Sequence, residues 1–133
     1  MISLLLDTHA IVWAFLDRKR LSAVALAALE AANRQHDIVC LSAISVVEIT
    51  YLIEKARLPS EIKVRLLMEA DNPSSNLRIV PLDRDIADRI EQIPRDAVPD
   101  MPDRIIAATA VHLGVPLITC DAKLRRAELK TIW

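Results

Sequence analysis

The sequence contains a single glycine, Gly114. Dinucleotide-binding fingerprints and P-loops both need several glycines, because the backbone of the loop must approach the phosphates of the nucleotide closely. Both kinds of nucleotide-binding site are therefore excluded. Cysteine is nearly as scarce, and Cys40 and Cys120 form no CxxC pair. A disulfide framework is not expected, and we interpret both cysteines as small core residues.

Long apolar runs and an excess of one charge are also absent. No segment approaches the roughly 18 apolar residues that a membrane-spanning helix needs, and residues 1–7 lack the basic region of a secretory signal. We therefore expect a cytoplasmic protein without a membrane anchor. The 17 basic and 18 acidic side chains give a formal net charge of −1, so overall charge indicates no class of partner.

Aromatic residues are few. Trp13, Phe15, Tyr51 and Trp133 do not suffice for a platform that stacks nucleic-acid bases, and we interpret them mainly as packing residues. Apolar residues of all kinds nevertheless make up 53% of the chain, which is enough for a substantial core. The sequence shows no internal repeat or low-complexity tract, and we expect one domain spanning residues 1–133.

Short apolar runs alternate with helical patterns along the chain. The runs predict β-strands over residues 2–6, 38–41, 77–82, 115–120 and 131–133. Apolar spacing and capping residues predict helices over residues 8–16, 23–34, 43–56, 61–70, 83–93 and 103–113. Three prolines make residues 94–102 a loop, and Gly114 ends the helix that follows it. This alternation predicts a three-layer α/β/α domain around a mostly parallel sheet.

Two aspartates follow predicted strands. Asp7 comes directly after the first strand, and Asp121 comes after the strand at 115–120. The carboxyl ends of parallel strands share one edge of the sheet, which is where open α/β sheets bind ligands. We therefore expect both side chains at that edge. Taken singly, each aspartate is also explained as an N-cap or turn residue.

Asp103 and Glu48 are two further carboxylates that do not look like surface residues. Asp103 opens a predicted helix, and the spacing of the apolar residues after it places Asp103 at the start of the buried stripe. Glu48 has no lysine or arginine three or four residues away on its helix. The spacing Ser45-x-x-Glu48 matches a capping box, but Ser42 is the better N-cap, which leaves Glu48 in the second turn.

A shared cation would explain these four carboxylates together. Carboxylates gathered at one edge repel each other and raise each other's pKa unless positive charge is present. Oxygen ligands without a supporting histidine or cysteine set favour Mg²⁺ or Mn²⁺ over zinc, and the sequence has no HExxH motif. The sequence therefore predicts a magnesium or manganese site formed by Asp7, Glu48, Asp103 and Asp121.

With these residues in place, the sequence resembles the PIN-domain family, and within it the VapC-type toxins of bacterial type II toxin–antitoxin systems. The resemblance covers essentially the whole chain. It rests on LLLDTHAIVWAF at residues 4–15, LSAISVVEI at 41–49, DRIIAATAVHLGVPLIT at 103–119 and the step Thr119-Cys120-Asp121. The family's acidic positions match Asp7, Glu48, Asp103 and Asp121, and its accompanying hydroxyl residues match Thr8 and Thr119. Asp100 is a candidate outer contributor, although a solvated loop residue explains it better.

The resemblance implies a three-layer PIN-like fold and an endoribonuclease that hydrolyses phosphodiester bonds in cellular RNA with Mg²⁺ or Mn²⁺. It implies a cognate VapB-like antitoxin that holds the enzyme inactive. It also implies a homodimer, with helices around residues 43–70 in the dimer or antitoxin surface, although core packing explains the same residues. Arg104 and the clusters at 18–20 and 125–126 are candidates for contact with RNA phosphates, and solvated basic residues are the simpler alternative.

Three other interpretations stay open. A receiver-type phosphoacceptor domain has this size and an acidic Mg²⁺ pocket, but it needs an acidic pair at the end of the first strand, where this chain has one aspartate, Asp7. A catalytically silent PIN-like scaffold would use the carboxylates for structure only. A thiol hydrolase built on Cys120 would need His9 or His112 beside it, and nothing in the sequence pairs them.

Overall fold

The computed structural model describes residues 1–133 of the chain. Five strands and seven α-helices follow each other in the order β1 (Ile2–Leu6), α1 (Thr8–Leu16), α2 (Ala23–Gln35), β2 (Ile38–Ser42), α3 (Ala43–Glu54), α4 (Glu61–Asp71), β3 (Leu77–Val80), α5 (Arg84–Arg89), α6 (Met101–Leu113), β4 (Leu117–Ile118), α7 (Ala122–Arg126) and β5 (Thr131–Ile132). Short 3₁₀ turns at Arg18–Arg20 and Ile90–Gln92 follow α1 and α5. None of the helices combines the length and the apolar character that crossing a membrane requires.

The five strands form one sheet in the order β3-β2-β1-β4-β5, and every neighbouring pair is parallel. The chain builds outward from β1 through β2 to β3, and it then returns to the other side of β1 for β4 and β5. The strand order therefore reverses between β1 and β4. Such a switch point opens a crevice beyond the carboxyl ends of the two strands. The prediction of a mostly parallel sheet is confirmed, and the sheet is parallel throughout.

Helices cover both faces of the sheet, and successive residues of a strand face opposite layers. Leu4 and Leu6 of β1 join a core formed with α1, α2 and α4, whereas Leu5 between them joins a core formed with α5, α6 and α7. Cys40 in the middle of β2 lies in the second core, and its strand neighbours lie in the first. The burial of both faces explains why the strands are unbroken apolar runs, and the predicted three-layer α/β/α architecture is confirmed.

Side-chain caps fix several helix ends. Ser22 accepts a hydrogen bond from Ala25 N at 3.0 Å, and Ser42 accepts one from Ile44 N at 3.2 Å. Ser42 is the N-cap that the sequence predicted for α3. Gly114 ends α6 with a φ of 68°, a left-handed conformation that glycine adopts without a steric penalty.

Three features differ from the sequence-based predictions. The helix α6 begins at Met101 rather than at Asp103, because Asp100 caps it and Pro102 is tolerated in the first turn. The strand β4 contains only Leu117–Ile118, since it is paired with β1 and β5 over two residues. The sequence did not predict α7, which is only five residues long and buries a single side chain. The remaining predicted elements are confirmed, with small shifts at their ends.

Candidate active site

The two strand-end aspartates, Asp7 and Asp121, lie beside the crevice beyond β1 and β4. Asp7 follows β1 directly, and Asp121 follows β4 after two intervening residues. The two strands are neighbours, with Leu6 paired to Ile118, so the turns that follow them lie side by side. The strand-end aspartates therefore occupy the place where open parallel sheets bind ligands.

Asp7 is the most buried of the four predicted carboxylates, with 5% of its surface exposed. Its Oδ1 accepts a hydrogen bond from Ala10 N at 2.8 Å, which makes Asp7 the N-cap of α1, and its Oδ2 accepts one from the Thr119 hydroxyl. Burial raises the pKa of Asp7; the two hydrogen bonds oppose this rise, and the charge of Asp121 adds to it. Capping is thus one role of Asp7, but it does not explain the second bond across the sheet.

Thr119 connects the two strand-end aspartates. Its hydroxyl donates to Asp7 Oδ2 and accepts a hydrogen bond from Asp121 N at 3.0 Å. Asp121 in turn caps α7, because its Oδ1 accepts from Lys123 N at 2.9 Å and from Leu124 N at 3.0 Å. The cap uses one carboxylate oxygen of Asp121 and leaves the other for a ligand.

Glu48 lies in the second turn of α3 and contacts the start of α1. Thr8 Oγ1 is 2.5 Å from Glu48 Oε1 and 2.8 Å from Ser45 Oγ. A threonine hydroxyl has one proton, so Thr8 donates to the carboxylate, the stronger acceptor, and the buried Ser45 hydroxyl donates to Thr8. Burial raises the pKa of Glu48; the bond from Thr8 opposes this rise, and nearby acidic charges add to it. Ser42 caps α3, as predicted, so the spacing Ser45-x-x-Glu48 is not a capping box.

Asp103 lies in the first turn of α6, just inside the helix rather than at its opening residue. Asp100 is the N-cap, and its Oδ2 accepts a hydrogen bond from Asp103 N at 3.2 Å. Burial, followed by the negative charges of Asp100, Asp121, Glu48 and Asp7, raises the pKa of Asp103 to about 7. Each of the other three predicted carboxylates therefore contributes to the raised pKa of Asp103.

The acidic side chains form a region of unbalanced negative charge that fits a hydrated cation. The pKa values of Asp7, Glu48 and Asp103 are all raised, so positive charge at this place would stabilise their ionised forms. No three acidic, histidine or cysteine side chains stand close enough to enclose an ion by themselves. Mg²⁺ usually keeps several waters and binds through one or two carboxylates. The donor set therefore fits hydrated Mg²⁺ or Mn²⁺ and does not fit a closed structural zinc site.

Arg104, which the sequence suggested for RNA contact, holds the protein's own backbone. Its Nε donates to Ile93 O at 3.2 Å, and its Nη2 donates to Ile93 O at 2.9 Å and to Ile90 O at 3.0 Å. These bonds fasten the turn after α5 to the start of α6. Because these donors are occupied within the protein, we do not retain Arg104 as an RNA contact.

Tyr51 is more exposed than the sequence predicted. The sequence favoured a packing role for this residue, but 59% of its surface is exposed. It lies one turn after Glu48 on α3, and both side chains line the same groove beside α1 and the start of α6. The sequence gives no signal for this exposure, because α3 is apolar on several faces. Trp13, Phe15 and Trp133 do pack against the first core, as predicted.

The environment of Cys120 contradicts a thiol hydrolase. Burial raises the pKa of the Cys120 thiol, and the charge of Asp7 adds to the rise. A thiol nucleophile instead needs a lowered pKa and a basic neighbour. His112 is engaged elsewhere, because its Nδ1 accepts a hydrogen bond from Arg89 Nε at 3.1 Å.

Comparisons with known proteins give likenesses over nearly the full length. The PIN domain model matches residues 4–130. The chain is 31% identical to Ribonuclease VapC22 of Mycobacterium tuberculosis over 125 residues. The matched segment covers 94% of this chain and 92% of that protein. The fold of this chain is similar to that of VapBC2 from Rickettsia felis bound to a DNA fragment from their promoter, with a TM-score of 0.73 and 18% identity. The likeness covers 98% of this chain and 97% of that chain. The fold is also similar to that of FitAcB from Neisseria gonorrhoeae, with a TM-score of 0.63 and 26% identity over 96% of this chain and 95% of that chain.

Proposed function

Because the chain belongs to the PIN domain family, we propose that it is a metal-dependent endoribonuclease of the VapC toxin type, with residues 1–133 as one nuclease domain. The observation that carries this proposal is the set of hydrogen bonds by which Thr8 holds Glu48 and Thr119 links Asp7 to Asp121 at the ends of β1 and β4. The charges of these carboxylates also raise the pKa of Asp103. The 31% identity to a protein named as a ribonuclease supports RNA as the substrate. We therefore also propose that it acts in the cytoplasm.

We assign the binding of Mg²⁺ or Mn²⁺ to the four carboxylates. Asp7, Asp103 and Asp121 are direct or water-bridged ligands, and Glu48 is either a ligand or the base that orients the attacking water. When bound, the ion supplies activation of water and neutralises charge on the phosphoryl oxygens. The hydroxyls of Thr8 and Thr119 hold Glu48 and Asp7 in place before substrate arrives. Such preorganised groups need no rearrangement at the moment of reaction.

Hydrolysis forms a bond between the water oxygen and phosphorus and breaks the bond between phosphorus and the 3′ oxygen. One proton of the water ends on the 3′ oxygen, so the products carry a 5′-phosphate and a 3′-hydroxyl. Glu48 is suited to take up that proton in transit, because Thr8 occupies only one of its carboxylate oxygens. Its raised pKa makes it a better proton acceptor than an ordinary glutamate.

The partner that holds this nuclease inactive is, in our proposal, a cognate VapB-like antitoxin. The resemblance to VapC-type toxins supports this assignment, together with the identity to VapC22. Val64 and Met68 lie one turn apart on α4, with 58% and 68% of their surfaces exposed. Neighbouring exposed apolar side chains commonly belong to a protein interface. We therefore place part of the antitoxin or homodimer contact on α4, within the region that the sequence suggested.

The proposal is tested by incubating the purified protein with pooled RNA in Mg²⁺, Mn²⁺ or EDTA and mapping the cleaved ends. We expect internal cleavage that leaves 5′-phosphates and that EDTA abolishes. Asp7→Asn and Glu48→Gln should each remove the activity while circular dichroism shows a folded protein. Asp88→Asn, which neutralises an exposed aspartate on α5, is the matched control and should cleave like the wild type.

Two alternatives give different results in the same experiment. A catalytically silent PIN-like scaffold would show no metal-stimulated cleavage with any RNA in the pool. A receiver-type domain would leave RNA intact and would take up a phosphoryl group from acetyl phosphate on an aspartate. Full cleavage by folded Asp7→Asn and Glu48→Gln would overturn the assignment of the site, even if the protein proved to be a nuclease.

A further inference from the structure

Thr119, whose hydroxyl links Asp7 and Asp121, is also bound through its backbone. Its amide donates a hydrogen bond to Ile132 O at 3.2 Å, from the turn after β4 to the strand β5. None of the surface of Thr119 is exposed, and a buried amide that loses its hydrogen-bond partner is costly. The position of Thr119 therefore depends on where β5 lies.

The strand β5 has little backbone pairing to hold it in place. It lies at the edge of the sheet, and only Thr131 and Ile132 pair with β4. A second amide of β4, that of Leu117, donates to Lys130 O at 2.9 Å. Strands in globular proteins usually have about five to six residues, so a pairing of two residues gives few hydrogen bonds. Side-chain packing must therefore supply much of what holds β5 against β4.

Trp133 directly follows β5 and packs against Trp13 of α1. The two ring centroids are 5.7 Å apart and the ring planes are tilted by 55°, a geometry that aromatic pairs favour. Both rings and the Ile132 side chain are half-buried against the first core. The helix that carries Trp13 is the one that Asp7 caps. Residues 131–133 therefore contact β4 through their backbone and α1 through a side chain.

We propose that Trp133 is a positioning residue for the carboxylate site, because it holds β5 against β4 and so fixes Thr119 between Asp7 and Asp121. The inference rests on the proposed function, since it assigns part of the geometry of the site to a residue that acts only through its neighbours. Without the ring, β5 separates from β4 more often, and the Thr119 amide loses its partner. The threonine hydroxyl then no longer holds the two aspartates in a fixed arrangement, which a shared cation needs.

Amide hydrogen exchange of the full chain in EDTA, followed by NMR, tests this link without metal or RNA. The Thr119 amide is bound to Ile132 O, and the Asp121 amide is bound to the Thr119 hydroxyl at 3.0 Å, so both amides report on it. Exchange rates measure local opening as well as global unfolding. Trp133→Ala should speed exchange at these two amides about tenfold more than at Ile49 in α3, as the loss of an aromatic pair predicts.

Phe15→Ala is the matched control. Phe15 is another half-buried aromatic residue that packs against the first core, and it lies on α1. Its truncation should lower the free energy of unfolding without a selective increase in exchange at Thr119 and Asp121. Trp133→Phe keeps an aromatic ring beside Trp13 and should restore most of the wild-type protection.

A double-mutant cycle tests whether Trp133 acts through Trp13. Trp13→Leu and Trp133→Leu should each speed exchange at Thr119, and the double variant should add little to either, because each single change already breaks the pair. Fully additive effects would show that the two rings act independently and would overturn the proposed route. Trp133→Leu also keeps part of the apolar bulk, so it replaces Trp133→Ala if circular dichroism shows that the alanine variant is unfolded.

Binding of Mn²⁺ alone, followed by electron paramagnetic resonance, connects the position of Thr119 to the site. Trp133→Ala should weaken Mn²⁺ binding about tenfold, the lower end of the range for losing a group that orients metal ligands. With a short labelled oligoribonucleotide in saturating Mn²⁺, kcat should fall while KM for RNA stays unchanged, because Trp133 orients carboxylates rather than binding RNA. Phe15→Ala should match the wild type in both measurements at a temperature at which it is folded.

The outcomes separate this inference from the proposed nuclease activity. Exchange at Thr119 and Asp121 that rises no more than at Ile49 would overturn the inference, whether or not the protein cleaves RNA. If the wild type binds Mn²⁺ and Trp133→Ala binds it equally well, the ring only stabilises the fold and the inference is wrong. If the wild type neither binds Mn²⁺ nor cleaves RNA, selective exchange would support the link from Trp133 to Thr119 and overturn the proposed function.

Discussion

Thr8 Oγ1 lies 2.5 Å from Glu48 Oε1, and this hydrogen bond ties the first residue of α1 to the second turn of α3. The residue before Thr8 is Asp7, which the Thr119 hydroxyl binds from beyond β4. Two threonines thus fix two carboxylates that come from different elements. The bonds span 40 and 112 residues of sequence, so the tertiary fold sets the geometry of the site.

Thr8→Val tests whether this positioning matters for function. Valine has a similar shape but cannot donate to Glu48 or accept from Ser45, so the glutamate loses its orientation. We expect RNA cleavage to fall about 10- to 100-fold, the usual effect of removing a group that orients a metal ligand. Thr8→Ser keeps the hydroxyl and should retain most of the activity. Wild-type cleavage rates in a folded Thr8→Val protein would show that the bond has no functional role.

Asp121 offers a way to separate capping from chemistry. Asparagine caps helices about as well as aspartate, whereas alanine at an N-cap costs roughly 0.5–2 kcal/mol. We therefore expect Asp121→Asn to unfold in urea like the wild type but to lose metal-dependent cleavage, and Asp121→Ala to lose both stability and cleavage. If Asp121→Asn remained fully active, the cap would be the whole role of this residue.

The pKa of Asp103 predicts how the stability of the metal-free protein depends on pH. Burial and neighbouring acids raise this pKa from 3.8 to about 7, so between these values the folded protein binds more protons than the unfolded chain. The contribution of Asp103 to the free energy of unfolding is then fully present below the lower value and is lost as the pH rises through about 7. Urea unfolding in EDTA should therefore show that the free energy of unfolding falls as the pH rises across this range.

Asp103→Asn is the variant that tests the origin of that decline. Asparagine cannot ionise, so the fall in unfolding free energy with rising pH should be smaller in this variant than in the wild type. Asp88→Asn, at an exposed position on α5, should leave the pH profile unchanged. A profile in Asp103→Asn that matches the wild type would mean that other groups cause the decline.

A divalent metal ion should offset the loss of stability that repulsion among the ionised carboxylates causes. A ligand that binds only the folded protein stabilises it by about 2.7 kcal/mol at a concentration of 100 times its Kd. We expect Mn²⁺ and Mg²⁺ to raise the melting temperature at neutral pH, less so in acid where protons compete for the carboxylates. Potassium chloride at equal ionic strength should give a smaller shift. An identical rise with potassium would contradict a specific divalent site.

Much of this fold is predictable because its signals are local. The strands β1 and β2 are buried on both faces, so each appears in the sequence as an unbroken apolar run. Ser22 and Ser42 cap their helices through their own side chains, and Gly114 ends α6 through its left-handed backbone conformation. The sequence also indicates Asp7 and Asp121, since residues that follow parallel strands share one edge of the sheet.

The remaining features depend on contacts that no local pattern contains. The strand β4 is short because only two of its residues find partners, and α7 is held by the Asp121 cap rather than by an apolar stripe. Tyr51 looks like a core residue within the apolar helix α3, and its exposure is set by what packs against that helix. Arg104 looks like a free cation beside an acidic residue, but carbonyls from the preceding turn occupy its guanidinium.

Arg104→Ala tests that last reassignment. Removing the guanidinium leaves Ile90 O and Ile93 O without their charged donor, and hydrogen bonds to charged groups are worth about 1.5–3 kcal/mol. We expect urea unfolding to show a loss of this size, and Arg104→Lys to recover only part of it, because an ammonium group cannot reproduce the planar fork. The salt dependence of RNA binding, measured by titrating the protein in EDTA against a short labelled oligoribonucleotide, should be unchanged. Normal stability combined with a salt slope reduced by about 0.7 would instead make Arg104 the phosphate contact that its sequence position suggested.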